Sequence, residues 1–185
     1  MMEQLYTLSI LTENKSGLLN NITIIFTRRK INIESLNVST TEVKGISRFT
    51  MVIRCTRAQA DKVCGQIRKL IDVLGAFVYE DDQIFYQEIA LYKVPATAFN
   101  NGIGAEEFVK ENGARILAVD SDHMVIEKTG LKTETHELYE KLEPYGLLEF
   151  VRSGRVAISK SKRRTETYIK ELEDSTSNEL SIKNY

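Results

Sequence analysis

Apolar residues along this chain follow strand and helix rhythms in turn, and the sequence of rhythms runs through twice. Residues 5–11 read as a strand. Leu18, Leu19, Ile22, Ile25 and Phe26 then recur at helical spacing and predict one apolar stripe. Ser16, just before Gly17, is placed to cap that helix. Arg28, Arg29 and Lys30 sit at its far end, where the helix dipole favours cations. Residues 31–40 read as a second strand. Its alternation holds at Ile31 and Ile33 and changes phase at Leu36 and Val38, which predicts a bulge. Lys44-Gly45 turns the chain, and Phe49, Met51, Ile53 and Cys55 alternate along a third strand. Thr56-Arg57-Ala58-Gln59 has the form of a capping box. The helix it opens carries Ala60, Val63, Ile67, Leu70 and Ile71 on one face, and residues 73–80 form a fourth strand. The order strand, helix, strand, strand, helix, strand is the ferredoxin-like pattern.

The pattern recurs with weaker signals. Residues 87–94 form a strand stopped by Pro95. Ala105, Phe108 and Val109 mark a short helix ended at Asn112-Gly113. The run Asn101-Gly102-Ile103-Gly104 leads into it. Strands over 116–119 and 124–127 are joined through Asp120-Ser121-Asp122, a helix over 131–143 carries Leu138 and Leu142, and 147–151 is the last strong strand. The expected fold class is therefore α+β, with two tandem ferredoxin-like βαββαβ domains. The first spans 1–80, a polar linker 81–86, the second 87–158. From Ser159 the apolar signal fails, Lys160, Lys162, Arg163 and Arg164 make a basic cluster, and 159–185 reads as a charged helix or loose tail.

Composition removes several function classes. With 42% hydrophobic and 28% charged residues, the chain of 185 residues fits a soluble globular protein. A net charge of -1 argues against a broad nucleic-acid surface. No apolar run approaches membrane-spanning length, and Met1-Met2-Glu3-Gln4 lacks a signal-peptide layout. Cys55 and Cys64 read as small buried hydrophobes rather than a disulfide, which places the protein in a reducing cytoplasm. His123 follows a turn and His136 lies among Glu134, Glu137 and Glu140, neither beside a nucleophile motif, so no catalytic residue is expected. No zinc-ligand spacing and no phosphate-cradling glycine loop occurs, so no metal site is expected either. The ferredoxin-like pattern is shared with RNA-binding modules, but those stack bases on exposed third-strand aromatics, and here Phe49 is followed by Met51 and Ile53.

The run Leu11-Thr12-Glu13-Asn14-Lys15-Ser16-Gly17-Leu18-Leu19 carries the candidate chemistry. It ends a strand and opens a helix at a glycine. A helix N-terminus offers free backbone N–H groups to a carboxylate, and amide oxygens of Asn14 and Asn32 suit an ammonium. Asn32, opening the next strand, is expected to face the same loop. A plain turn and helix cap uses the same residues, so the small-ligand sensor competes with a purely structural reading. Two thin-cored sandwiches with exposed sheet edges also predict a homodimer that pairs edges near the ligand site.

These residues resemble a known family. Residues 11–18 with Asn32-Ile33-Glu34-Ser35-Leu36 resemble the ACT domain of the small, regulatory subunit of acetolactate synthase (acetohydroxyacid synthase). Leu70-Ile71-Asp72-Val73-Leu74 resembles its fourth-strand entry. Gln87-Glu88-Ile89-Ala90-Leu91-Tyr92-Lys93-Val94 resembles the opening of its second domain, and Val151-Arg152-Ser153-Gly154 its closing motif. The likeness runs from about Leu5 to Ile158, beyond which the family's further Arg-Gly pair is absent. The resemblance implies a non-catalytic chain whose partner, the large subunit, carries thiamine diphosphate, a divalent metal and FAD. That partner condenses pyruvate with a 2-keto acid on the way to valine, leucine and isoleucine. The small subunit raises its activity and confers feedback inhibition, usually by valine. The implied effector site is Asn14, Gly17 and Asn32 with Ser16, Leu18 and Ile33 as neighbours, Asn14 and Asn32 coming either from one subunit or from two, and Arg152, Ser153 and Gly154 are an implied partner contact. The alternative is an ACT-domain amino-acid sensor acting on another biosynthetic enzyme.

Overall fold

The computed structural model describes residues 2–99, 104–162, 165, 167 and 169–170. Most of the Asn101-Gly102-Ile103-Gly104 run, Arg163 and Arg164 of the basic cluster, and residues 171–185 of the extension lie outside them. The chain forms two compact units. One comprises residues 1–85 with 157–185, the other 86–156.

The first unit runs β1 (Gln4–Glu13), α1 (Leu18–Arg28), β2 (Ile33–Thr40), β3 (Ile46–Cys55), α2 (Arg57–Ile67) and β4 (Val73–Tyr79). Its sheet has the order β2-β3-β1-β4, with all neighbouring pairs antiparallel. Alternation along β1 sends Tyr6, Leu8 and Ile10 to one face, where they meet Phe49, Met51 and Ile53 of β3. Leu18, Ile22 and Phe26 of α1 and Ala60, Val63 and Ile67 of α2 close that core. Full burial of each large aliphatic side chain contributes about 1.5–3 kcal/mol. The predicted bulge in β2 is a register shift between Ile33 and Ser35. Thr56 and Gln59 form the predicted capping box. Helix α2 ends at Ile67, short of the expected stripe: Leu70 still packs on the core, but Ile71 is 98% exposed. Phe49 is buried against the helices with Met51 and Ile53, so β3 presents no aromatic on which a base stacks.

The face of this sheet turned away from the helices is covered too. Thr7 and Leu11 are buried, and Ala157, Ser159 and Thr165 of the C-terminal segment lie against the same surface. The segment read as a charged extension therefore groups with the first unit, together with Ala157 and Ile158 from the expected second domain, and the boundary expected at Ile158 falls inside a strand, β9 (Val156–Ser159). Ile169 is buried as well. A few scattered apolar residues among charges give no periodic signal, which is why this packing escapes the sequence pattern.

The second unit contains most of β5 (Ile84–Pro95), then α3 (Ala105–Glu111), β6 (Arg115–Val119), β7 (His123–Gly130), α4 (Lys132–Leu142) and β8 (Glu149–Arg152). Its sheet order is β6-β7-β5-β8, the counterpart of the first. Ala90, Tyr92 and Val94 pack with Ile126, Leu138 and Leu142. The buried Tyr92 hydroxyl donates to the Thr135 carbonyl at 2.5 Å. Burial pushes its phenol from 10.0 up to about 12, with nearby Arg152 opposing. Because the folded value is raised, the neutral phenol's contribution to stability is complete below pH 10.0 and is lost as the pH climbs through about 12. Urea unfolding followed across that range should show a stability loss that Tyr92→Phe reduces. An identical slope in the variant would contradict the assignment.

Candidate effector site

The loop between β1 and α1 is shaped by one glycine. Gly17 has φ 86° and is itself the N-cap of α1, with no capping side chain. The expectation that Ser16 caps the helix is therefore corrected: the left-handed turn at Gly17 carries the Ser16 side chain out of capping position. The first helical bond runs from the Asn21 N–H to the Gly17 carbonyl at 3.1 Å. The N–H groups of Leu18, Leu19 and Asn20 precede it, and no acidic residue lies in that first turn. These donors and the positive end of the helix dipole make a place for a carboxylate.

The loop is anchored on two sides. The Asn14 N–H donates to the Gly45 carbonyl at 2.8 Å, which ties it to the β2–β3 turn. Lys15 Nζ meets Asp72 Oδ1 at 2.7 Å and Glu13 Oε2 at 2.6 Å, so it spans to the start of β4. Those hydrogen bonds, Asp72's first, hold the Lys15 ammonium above the ordinary lysine range. The group is exposed, and its part is to fix the loop rather than to stabilise the fold. Asn14, Ser16 and Gly17 are exposed around this anchor, while Leu18 turns into the core.

Asn32 is not there. It is exposed immediately before β2, and Ile33 pairs with Ile53, which pairs with Tyr6. Glu13 lies seven residues further along β1 from Tyr6, roughly 24 Å at ~3.4 Å per residue. Strands β1 and β2 run parallel on either side of β3. Asn14 and Asn32 therefore stand at opposite ends of the sheet within one chain. The expectation that they face one loop is corrected by this topology. Spacing along the sequence shows that a helix separates them but not which way it carries the chain.

In the second unit, Arg152-Ser153-Gly154 is engaged internally. Ser153 Oγ accepts from the Ile89 N–H at 2.9 Å and donates to the Gly154 carbonyl at 2.9 Å. Arg152 Nε lies 3.1 Å from buried Glu88, and buried Arg155 lies 3.8 Å over the Tyr86 ring. The contributions of Glu88 and Arg155 were not evident from the motif alone. His136 stacks on Tyr139 at 5.6 Å on an exposed helix face. Asp120, Asp122 and His123 come within 4.8 Å of one another at the β6–β7 turn. The turn's own bonds, Ser121 N–H to Asp120 Oδ1 and Asp120 N–H to the His123 carbonyl, account for that grouping. Both cysteines are buried thiols.

Comparison with known proteins decides the family. The family model described as the AHAS small subunit-like ACT domain matches residues 8–75, and that for the small subunit of acetolactate synthase matches 87–161. The acetolactate synthase small subunit of Mycolicibacterium smegmatis is 37% identical over 158 residues, covering 85% of this chain and 92% of that one. This chain belongs to the acetolactate synthase small-subunit family. The Bacillus subtilis small subunit is 34% identical over 168 residues, with 88% and 94% covered. A crystal structure of the Thermotoga maritima small subunit shares the fold at TM-score 0.77 and 24% identity, covering 86% of this chain and 99% of that one. Membership gives a regulatory role and implies a catalytic large subunit as partner. Among the described residues no helix is long and apolar enough to cross a membrane.

Gly17 generates a stability prediction independent of any ligand. A Cβ there meets nothing within 4 Å, so only the left-handed backbone resists substitution. Gly17→Ala should cost about 1 kcal/mol in urea unfolding. An unchanged midpoint would mean that the loop relaxes freely.

Proposed function

We propose that this chain activates the large subunit of acetolactate synthase and makes it sensitive to valine, through a site completed only when two copies pair. The carrying observation is the separation of Asn14 from Asn32. Strand β2 is an edge of its sheet, with exposed Glu34, Val38 and Ser39 along it. An unpaired edge is a template for another strand. Antiparallel pairing of two β2 edges about a twofold axis sets the start of one β2 beside the end of the other. That end leads into the turn whose Gly45 carbonyl accepts the Asn14 N–H. Asn32 and Ile33 of one copy then approach residues 14–18 of the other.

In this arrangement the N–H groups at Gly17 and Leu18 take the valine carboxylate, and Asn14 and Asn32 hold its polar end. Aliphatic side chains, Ile33 among them, receive the isopropyl group. Leucine and isoleucine differ from valine by one methylene, worth only about 1–3 kcal/mol in an apolar pocket. Valine acts by linkage: it contacts both copies, and it shifts the holoenzyme by its difference in affinity for active and inhibited arrangements. The thiamine diphosphate, divalent metal and FAD of the condensation are assigned to the large subunit, and this chain contributes no catalytic group. A cytoplasmic setting belongs to the same reading, with Cys55 and Cys64 as buried free thiols rather than a disulfide.

Reconstitution with the large subunit tests the reading. Gly17→Asp sets a carboxylate against the ligand's own and should abolish valine inhibition while keeping activation. Full inhibition by valine in that variant would remove the proposed site.

A further inference from the structure

The face of the first sheet opposite α1 and α2 holds a cavity of about 320 Å³, within the range of small-molecule sites. Ser9, Arg48, Phe77 and Tyr79 line it from the sheet, and Ile84 and Ser159 from the segments beside it. Arg48 is the one charged side chain among the described lining residues. Its Nη2 donates to Thr165 Oγ1 at the long distance of 3.3 Å, and its Nε is buried without a hydrogen-bond partner among the described residues. A guanidinium edge with a buried, unused donor is costly to leave empty. It also has the geometry that takes a carboxylate side-on.

The surroundings narrow the ligand. Leu11, Phe77 and Ile84 supply apolar wall, and the Tyr79 hydroxyl, which burial keeps protonated, bonds to the Ser159 side chain. Glu42 is exposed beside Thr165 and within reach of the Arg48 charge. A hydrogen bond from Thr165, then one from backbone, holds its carboxyl below the ordinary range, with a smaller contribution from Arg48's charge. Glu42 already offsets part of the Arg48 charge, so a monoanion is favoured there over a phosphate dianion.

We propose that this cavity is a second ligand site, which takes a small monocarboxylate with an apolar tail, its carboxylate on Arg48 and its tail against Leu11, Phe77 and Ile84. The site shares no residue with the effector loops at 14–18 and 32–33, and it does not depend on their reading. Its position matters because the C-terminal segment forms part of its wall. A ligand there fastens that segment to the sheet.

An NMR titration of the full chain with sodium 3-methylbutanoate tests this, with 3-methylbutylammonium as the charge-reversed control. Saturable amide shifts at Ser9, Phe77 and Ser159 are expected with the carboxylate and not with the amine. Arg48→Gln should weaken binding at least about tenfold, the loss of one charge-assisted hydrogen bond. Arg48→Lys should restore part of it, and Gly17→Asp should leave it unchanged. If Arg48→Gln loses the native spectrum, Ser9→Leu fills the cavity with the guanidinium intact and must abolish the same shifts. The proposal is overturned if nothing saturates below about 50 mM, weaker than the usual millimolar limit of a specific site. It is equally overturned if the amine shifts the same residues, or if the shifts lie only at residues 14–18 and 32 and vanish in Gly17→Asp.

Discussion

Strands β1 and β2 run parallel on the two sides of β3, and helix α1 carries the chain from the end of one to the start of the other. That crossover separates the two asparagines by the length of the sheet. It also leaves β2 at the edge, with its outer backbone groups facing away from its own sheet. In the proposed arrangement the effector site and the pairing of copies become one problem. A ligand held by residues 14–18 of one copy and Asn32 of another reports on their packing, because it cannot keep both sets of contacts if they move apart. Feedback needs this coupling: a ligand with equal affinity for two arrangements shifts neither.

Around this constraint the first unit is built for rigidity. Its helices cover one face of the sheet through Leu18, Ile22, Phe26, Ala60, Val63 and Ile67. The loop that offers free helix N–H groups is held by the Gly45 carbonyl and by Lys15 between Glu13 and Asp72. A donor set fixed before the ligand arrives loses less entropy on binding. The opposite face is finished by the C-terminal segment, and the buried Arg48 edge lies there. The second unit repeats the topology with another lock. Ser153 and Arg152 bind the closing strand to Ile89 and Glu88 of β5, so the Arg-Ser-Gly motif has a structural task whatever else it touches.

The two βαββαβ repeats were legible because Leu8/Ile10, Met51/Ile53 and Leu18/Ile22/Phe26 keep strict strand and helix periods. The β2 bulge was legible as a break in that period, and the capping box as a spacing of Thr56 and Gln59. The true cap at Gly17 was not, because serine before glycine fits a side-chain cap as well as a left-handed turn. The relation of Asn14 to Asn32 was legible only in part: their coming from two subunits was one of the options the resemblance left, and the crossover through α1 removes the other, a single loop within one chain. Arg48 escaped notice for a third reason. It lies on the face that alternation marks as solvent-facing, and Ala157, Ile158, Ser159, Ser161 and Thr165, from a stretch with no periodic apolar signal, lie against that face and leave its Nε buried.

The central claim is that each effector site takes Gly17 from one copy and Asn32 from another. Valine binding by calorimetry to mixed dimers tests it most directly. Gly17→Asp and Asn32→Ala chains, each unable to bind alone, are unfolded together and refolded. Each heterodimer then contains one site with both substitutions and one with neither. The account predicts that binding returns, at one valine per heterodimer. If the mixture stays as inactive as its components, the two residues act within a single chain or not at all, and the shared site is wrong.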